Sequence, residues 1–374
     1  MRVVQVINSV APARGGPTYV VTHLSRALAA LGARVDVVST RAGLDAAAEG
    51  EARRSLGDVP LHLVDVHGPA RLELAPALPA LLWRLVAGAD VVHVHTVFTW
   101  PVALAPLVCR ARRIPYVVRP AGTLDRACLA LGPRRQKQLA VSAYVRGNLE
   151  RAAAVQATSD HEAAELRHLA PGARVELLEV GVDLPAAMVP DRGEAGRRVG
   201  FLGRIHEKKQ LDVLLRAMAV LPPTVELAVA GSGERAYVAS LARLADALGV
   251  GDRVTWLGHL GPNEKRAFLD RVDVVACPSI DENFGIVVAE AMAAGRAVVV
   301  SPGVALSAVV ASAGAGVVVA ADPESVAAAV GGLLADGAAR ARQAAAGRRV
   351  AVARWGWERV ARDTHALYER AVSQ

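Results

Sequence analysis

Aromatic side chains are scarce in this 374-residue sequence, at 4% of its residues. Few platforms therefore exist on which the bases of a single-stranded nucleic acid could stack. The sequence also contains no helix-turn-helix, zinc-finger or RNA-recognition signature. Although the net charge is +7, no nucleic-acid partner is predicted.

Cysteine is scarce as well. The three cysteines, Cys109, Cys128 and Cys277, lie far apart and are odd in number, which argues against a disulfide framework and against a Cys-x-x-Cys metal site. This pattern is typical of a reducing compartment. Because the N-terminal stretch reads as a β-strand without a signal-peptide h-region, we predict a cytoplasmic protein.

One uncharged stretch, residues 297–321, has the length of a membrane span. Pro302, Gly303, Gly314 and Gly316 interrupt it. The pattern therefore favours a strand, a turn, a short helix and a second strand of a buried α/β layer over a membrane helix.

Positive charge is concentrated in one part of the chain. Residues 101–150 hold nine Arg or Lys residues against two acids, Asp125 and Glu150. Such a stretch can meet anionic lipid head groups or a phosphorylated substrate. An ordinary solubilising surface is the alternative, because the sequence is rich in arginine throughout.

The first half of the chain alternates apolar strands with helical segments. Residues 3–7 form a buried strand that leads to Gly15 and Gly16, where the backbone can approach a ligand closely. The dinucleotide fingerprint G-x-G-x-x-G is absent, and residues 41–58 form a polar, Ala-rich excursion. His95 lies at the carboxyl end of a later strand, where open α/β sheets place their ligands, and Arg119 follows at the end of the next strand.

The stretch from residue 274 to residue 300 predicts a strand, a loop, a helix and a strand. Glu282 precedes the helix and Glu290 lies in its second turn, so both carboxylates can flank one ligand. The N–H groups at the helix start favour an anion such as a diphosphate. Because carboxylates accept hydrogen bonds from vicinal hydroxyls, the pattern suits a sugar nucleotide, with Glu282 toward a hexose and Glu290 toward a ribose. Taken alone, each acid could instead be an ordinary solvated residue.

Two cations follow the first strand of the second half. Arg204, directly after Gly203, and Lys209 stand between a strand and a helix, where they can reach a diphosphate. A glycine-rich turn with Gly231 and Gly233 follows the next strand.

These motifs resemble those of the retaining glycosyltransferases of the GT4 family. The match includes the E-x7-E spacing of Glu282 and Glu290, the G-R-x-x-x-x-K run that ends at Lys209, and the A-G-x-G turn. The resemblance implies the α/β GT-B fold: two Rossmann-like, doubly wound domains with a cleft between them and a C-terminal helix that crosses back to the N-terminal domain. It implies an N-terminal acceptor domain over residues 1–184, a linker over 185–198, a donor domain over 199–354 and the crossover helix over 355–374.

The resemblance also implies roles for individual residues. The predicted catalytic residues are Glu282, Arg204, Lys209 and His95. The predicted donor-binding residues are Gly15, Gly16, Gly203, Gly231, Gly233, Asn283, Phe284, Gly285, Ile286, Val287 and Glu290, and the predicted acceptor-side residues are Arg119 and Asp125. Ala121 departs from the family pattern, in which His or Arg contacts donor or acceptor, so that contact is expected from Arg119, Asp125 or His95.

The implied reaction moves a hexose from a UDP- or GDP-sugar to an acceptor hydroxyl with retention of configuration, in polysaccharide, glycolipid or other glycoconjugate synthesis. A carbohydrate or lipid-linked acceptor is expected, with peripheral contact to the inner face of an anionic membrane as a further expectation. No Asp-x-Asp occurs in the sequence, so neither a metal nor a cofactor is predicted, and Arg204, Lys209 and the helix start would stabilise the leaving group. Two alternatives remain: a GT-B-like sugar-nucleotide epimerase and a non-catalytic sugar-nucleotide-binding homologue.

Overall fold

The computed structural model describes residues 1–68, 73–130, 134–188 and 197–374. The chain divides into two compact units, of which the first comprises Met1–Gly181 with Trp357–Gln374 and the second comprises Val182–Gly356. The stretch expected to be a linker, residues 185–198, opens the second unit, and its residues 189–196 lie outside the described part of the chain.

The first unit is built on one parallel sheet. Its strands are β1 (Arg2–Ser9), β2 (Arg34–Thr40), β3 (Leu61–Val64), β4 (Val91–His95), β5 (Tyr116–Arg119), β6 (Ala154–Ala157) and β7 (Val175–Leu177), in the order β3-β2-β1-β4-β5-β6-β7. Its helices in the same stretch are α1 (Gly16–Ala30), α2 (Ala46–Leu56), α3 (Leu78–Val86), α4 (Trp100–Arg112), α5 (Arg126–Ala130), α6 (Arg134–Ala140), α7 (Arg146–Glu150) and α8 (Asp160–Leu169).

The second unit repeats this architecture. Its strands are β8 (Arg198–Leu202), β9 (Glu226–Ala230), β10 (Val254–Gly258), β11 (Val274–Cys277), β12 (Ala297–Val300) and β13 (Gly316–Val318), in the order β10-β9-β8-β11-β12-β13. Its helices are α9 (Leu211–Val220), α10 (Arg235–Ala247), α11 (Pro262–Arg271), α12 (Ile286–Ala293), α13 (Ser307–Ala313), α14 (Pro323–Ala335) and α15 (Gly337–Arg354). The last helix, α16 (Trp357–Val372), belongs to the first unit, where it packs against α1.

Strand alternation separates two cores in the first unit. Val4 and Val6 of β1 face one buried cluster, whereas Val3 and Ile7 face the other, which also contains Tyr368 of α16. This is the period of two expected of strands that are covered on both faces.

Strand order also fixes where ligands can bind. In each sheet the chain runs outward in one direction from its first strand and then returns to place the fourth strand on the other side. Such a topological switch point, at β1 and β4 in the first unit and at β8 and β11 in the second, opens a crevice at the carboxyl ends of the strands.

Two expectations about local structure have clear outcomes. The uncharged stretch forms β12, α13 and β13 as predicted, and no helix in the described ranges is both long and apolar enough to cross a bilayer. No helix was predicted within the polar, Ala-rich residues 41–58, and this stretch contains α2. Asp45 caps that helix by accepting from Ala48 N at 2.8 Å.

Candidate functional site

The side chain of Glu282 is fixed in the second unit, on the loop between β11 and α12. Its carboxylate forms an ion pair with Lys209 and accepts a hydrogen bond of 3.1 Å from Ser279 Oγ. Its backbone N–H donates to Gly303 O at 2.9 Å, and its carbonyl accepts from Ala305 N at 3.0 Å. A carboxylate held in this way is preorganised to accept hydrogen bonds from a ligand.

The loop that carries Lys209 is tied to the loop that carries Glu282. Ile280 N donates to Lys208 O at 2.9 Å, and Lys208 Nζ lies 2.7 Å from Asp281 Oδ2. Because these loops leave β8 and β11, the Lys209–Glu282 pair stands at the switch point of the sheet.

Arg204 adds a second positive charge at this place. Burial lowers the pKa of Lys209, Cys277 opposes that change, and the charge of Arg204 lowers the pKa further. Arg204 itself is exposed. Two cations that repel each other are suited to binding an anion with more than one charge, such as a diphosphate.

The start of α12 lies beside these cations. Gly285, the residue before the helix, has φ 94° in the left-handed region that favours glycine, and no side chain caps the helix. Ile286 and Val287 therefore present first-turn N–H groups to an anion. A Cβ built on Gly203 would lie 3.8 Å from Val287 Cγ2. The helix start is therefore next to Gly203, the residue that precedes Arg204.

Two of the predicted donor-binding glycines, Gly231 and Gly233, have a packing role. A Cβ on Gly231 would stand 1.8 Å from Gly203 O, and a Cβ on Gly233 would stand 2.2 Å from Ile205 O. These glycines allow the turns after β8 and β9 to touch, and so they set the backbone on which Arg204 stands.

Two further members of the predicted donor-binding set differ in placement. Phe284 is buried and packs edge-to-face on Trp355, with ring centroids 5.9 Å apart. The ring therefore packs in the core, and donor binding at Phe284 stays a prediction. Asn283 beside it is half-buried.

Glu290 lies in the second turn of α12, as its spacing predicts, and forms an ion pair with Lys265 of α11. Burial raises the pKa of the Glu290 carboxyl, and Lys265 opposes that rise. The sequence motifs did not predict a role for Lys265, but the small number of lysines in the sequence is informative. The sequence has four lysines, Lys137, Lys208, Lys209 and Lys265, of which the last three pair with Asp281, Glu282 and Glu290 respectively.

The first unit holds the remaining predicted residues. Gly15 is exposed, with φ 75° and open space where a Cβ would stand, and Gly16 begins α1. The side chains of His95, Arg119 and Asp125 are instead buried. His95 Nε2 bonds to Gln5 Oε1 at 2.6 Å inside the core, and its catalytic role stays a prediction.

Two residues at the carboxyl edge of the first sheet have a strained backbone. Thr96, which follows β4, has φ 69°, and Ala121, which follows β5, has φ 56°. Glu162 of α8 holds the second of these turns, because its Oε1 accepts from Gly122 N at 2.7 Å. Positive φ at residues other than glycine is uncommon and clusters at functional sites.

Comparisons with known proteins agree with this arrangement. The family described as glycosyl transferases group 1 matches residues 190–350, and a glycosyl transferase 4-like domain matches residues 15–181. The chain is 33% identical to the D-inositol 3-phosphate glycosyltransferase of Xylanimonas cellulosilytica over 96% of this chain and 93% of that relative. It is 36% identical to the protein of the same name from Mycobacterium marinum over 57% of this chain, a match that spans about half, 49%, of that relative.

Among solved structures, HepE of Anabaena in complex with UDP-glucose matches the whole of both chains with a TM-score of 0.80 at 19% identity. At that identity the likeness establishes the fold. The two doubly wound units and the full-length relative together identify this chain as a member of the group 1 glycosyltransferases, with the GT-B fold.

Proposed function

We propose that this glycosyltransferase moves a hexose from a nucleotide diphosphate sugar to an acceptor hydroxyl with retention of configuration. The Lys209–Glu282 ion pair beside the start of α12 is the observation that carries the proposal. It brings a cation, a fixed carboxylate and helix N–H groups to the switch point, where a doubly wound sheet binds its ligand.

Donor binding would redistribute the charges of this site. Lys209 and Glu282 neutralise each other in the structure. A diphosphate beside Arg204 and Lys209 would become the new partner of Lys209, and Glu282 would then accept hydrogen bonds from the sugar hydroxyls. Because every charge keeps a partner, the exchange avoids leaving a buried charge unpaired.

The transfer step follows from these positions. The bond between the anomeric carbon and the diphosphate oxygen breaks, and its electron pair stays on that oxygen. Arg204, Lys209 and the N–H groups of α12 stabilise the charge that develops there. The acceptor oxygen bonds to the anomeric carbon on the same face, and its proton passes to the departing phosphate oxygen, so no protein nucleophile is required.

The donor is proposed to be a UDP- or GDP-sugar. Glu290 would accept from the ribose hydroxyls, which both nucleotides share. UDP is the first choice, because the similarly folded HepE is in complex with UDP-glucose.

The acceptor is proposed to carry an anionic group. Two relatives are named for D-inositol 3-phosphate, and residues 101–150 of this chain have a strong positive excess. A phosphorylated carbohydrate or a lipid-linked acceptor meets this requirement.

Peripheral contact with an anionic membrane is proposed at α6. Leu139 on this helix is 70% exposed, and Arg134 and Arg135 on the same helix are exposed. An exposed leucine among arginines is typical of a helix that lies at a lipid surface.

The test replaces Glu282 with Gln and uses Glu207→Gln as the matched control, because Glu207 is an exposed acid in the neighbouring turn. Nucleotide release is measured by chromatography, and the anomeric configuration of the product by NMR. We expect Glu282→Gln to lose roughly 100-fold or more in turnover, and Glu207→Gln to keep it within about twofold, since it removes no contact to the reacting groups. Unchanged turnover in Glu282→Gln, or a product of inverted configuration, would contradict the proposal.

Two additional assays separate the alternatives. Incubation of the UDP-sugar without acceptor should leave the sugar nucleotide unchanged, whereas an epimerase would convert it to a new one. A binding protein without activity would retain the donor and transfer nothing. Addition of EDTA should leave transfer unchanged, since the proposal assigns the diphosphate charge to Arg204 and Lys209.

A further inference from the structure

A row of polar side chains crosses the core of the first unit. In the sheet register Gln5 lies opposite His93, and His95 lies opposite Arg119. Residues aligned between parallel strands point to the same face, and so do residues two apart in one strand. The four side chains therefore share the face that packs against α1 and α16, and all are buried.

Three members of this row satisfy one another with the help of α16. His95 Nε2 donates to Gln5 Oε1 at 2.6 Å, Gln5 Nε2 donates to Tyr368 Oη at 3.1 Å, and the Tyr368 hydroxyl lies 2.8 Å from His93 Nδ1. Burial lowers the pKa of both histidines, and the charge of Arg119 lowers both further. Both histidines are therefore neutral, and neither carries a charge that could pair with the guanidinium of Arg119.

Arg119 is different from its neighbours. Its side chain is 2% exposed, and its Nε and Nη2 atoms have no hydrogen-bond partner among the described residues. Burial lowers the pKa of its guanidinium to about 10. A buried cation without hydrogen-bonded partners is costly, and proteins keep one where something else pairs with it.

The acid whose charge acts on Arg119 is bonded to other groups. Glu162 attracts Arg119, but its Oε1 accepts from Gly122 N at 2.7 Å, and its Oε2 accepts from Thr158 N at 2.8 Å and Thr158 Oγ1 at 2.9 Å. These bonds direct the carboxylate to the turn after β5 and to its own helix cap. Within the described part of the chain, the Nε–Nη2 edge of Arg119 therefore has no matched acceptor.

That edge has a specific chemical preference. Nε and Nη2 project their N–H groups side by side, which is the geometry that binds two oxygens of a carboxylate or a phosphate. Arg119 is the last residue of β5, and Thr96 N donates to Arg119 O at 2.8 Å. Thr96 follows β4 and Ala121 follows β5, and both have positive φ. Strained backbone of this kind marks ligand sites.

We propose that Arg119 is an oxyanion-binding subsite of the first unit that receives a phosphate or carboxylate group of the acceptor through the Nε–Nη2 edge. That the bound anionic group belongs to the acceptor rests on the proposed function. Anion binding by Arg119 itself does not depend on transfer activity. It gives the chain a polar contact in place of the one that Ala121 lacks.

The test uses thermal unfolding of the full chain with inorganic phosphate, and separately with UDP, at constant ionic strength. Phosphate near ten times its Kd should raise the Tm of the unmodified protein by about 2–4 °C. In Arg119→Met this shift should be lost, the shift with UDP should remain, and the Tm without ligand should be equal or higher because an unpaired buried charge has been removed.

A matched variant shows what a structural arginine does. Arg340 is fully buried and donates to Leu333 O at 3.0 Å, so Arg340→Met should lower the Tm without ligand and keep the phosphate shift. The proposal is overturned if phosphate leaves the Tm of the unmodified protein unchanged, if Arg119→Met keeps the phosphate shift, or if it lowers the ligand-free Tm as Arg340→Met does. Loss of the UDP shift in Arg119→Met would overturn the assignment to the acceptor, because the anion would then belong to the donor.

A conservative variant covers the case in which Arg119→Met does not fold. Arg119→Lys keeps the charge and removes the two-point edge. Its Kd for phosphate should rise about tenfold or more while its Kd for UDP stays the same, and an unchanged Kd for phosphate overturns the proposal.

Discussion

Lys265 of α11 forms an ion pair with Glu290 of α12 across a mostly buried contact, in which the carboxylate is 7% exposed and the lysine side chain 24% exposed. A carboxyl in such surroundings favours its neutral form unless a cation stands beside it. Lys265 therefore favours the ionised state of Glu290, in which both oxygens accept hydrogen bonds.

The first prediction removes that cation by Lys265→Met. Burial and the charge of Asp183 then act on Glu290 without opposition from Lys265, so the pKa of its carboxyl rises further. If the ionised form binds the ribose, donor affinity falls as the pH drops through this pKa, and in Lys265→Met the fall begins at a higher pH. At pH 7 we expect the Kd for UDP to rise about tenfold, or ~1.4 kcal/mol. Calorimetric titration of both proteins across roughly pH 5 to 9 measures the shift.

Lys208→Met is the control, because Lys208 pairs with Asp281 and not with Glu290. Its pH midpoint should match that of the unmodified protein. The free energy of unfolding also depends on the protonation of Glu290. Since burial raises the folded-state pKa of Glu290, this carboxyl contributes most stability at low pH, and the contribution is lost as the pH rises through that pKa. An identical midpoint in all three proteins would count against a role for Lys265.

Glu282 and Glu290 show which features of the site can be predicted from the local sequence pattern. The spacing of Glu282 and Glu290 predicts a loop acid and a second-turn acid, which the structure confirms, because a helix repeats over a few residues. Lys265 is 25 residues from Glu290 in sequence, and their contact depends on how α11 packs beside α12. Helical periodicity contains no information on such a pairing.

The second prediction concerns the strained turn at Ala121 and Gly122. Glu162→Gln replaces one acceptor oxygen by an amide N–H, which then faces either Gly122 N–H or the N–H and hydroxyl of Thr158. A buried donor without an acceptor costs about 1–3 kcal/mol. Chemical denaturation should show a loss of that size in the free energy of unfolding.

Asp160→Asn serves as the control on the same helix. Asp160 is exposed in the first turn of α8, so its charge contributes only the helix-dipole term of about 0.3–1 kcal/mol. Equal losses in Glu162→Gln and Asp160→Asn would show that Glu162 does not hold the turn.

The third prediction compares two glycines that sequence analysis treated alike. A Cβ on Gly231 would clash with Gly203 O at 1.8 Å, and its φ is 148°, so Gly231→Ala should cost more than about 4 kcal/mol. Gly15 has open space around a Cβ, and its φ of 75° and ψ of −135° are values that glycine adopts far more readily than alanine, so Gly15→Ala should cost about 1–3 kcal/mol. Denaturation curves of both variants provide the measurement, and similar midpoints would contradict the packing role of Gly231.

His95 shows why the first-unit site was harder to predict. Strand alternation predicts that His93 and His95 point the same way, and their ring centroids lie 4.1 Å apart. Whether that face is open or covered depends on Tyr368, which bonds to His93 from 275 residues away. The helix that carries Tyr368 therefore covers this face, an effect of tertiary packing that alternation cannot reveal.

The fourth prediction tests the proposed lipid contact of α6. Leu139→Asp puts a carboxylate at the exposed position on the helix that carries Arg134 and Arg135, and it should weaken binding to vesicles that contain anionic phospholipid by about tenfold, since both the apolar contact and the charge attraction are reduced. Leu177→Asp is the matched control, because Leu177 is 49% exposed on β7. Sedimentation with anionic and with neutral vesicles measures the effect, and we expect binding of the unmodified protein to the anionic vesicles to fall as salt is raised. Equal binding of Leu139→Asp and Leu177→Asp would exclude α6 as the contact.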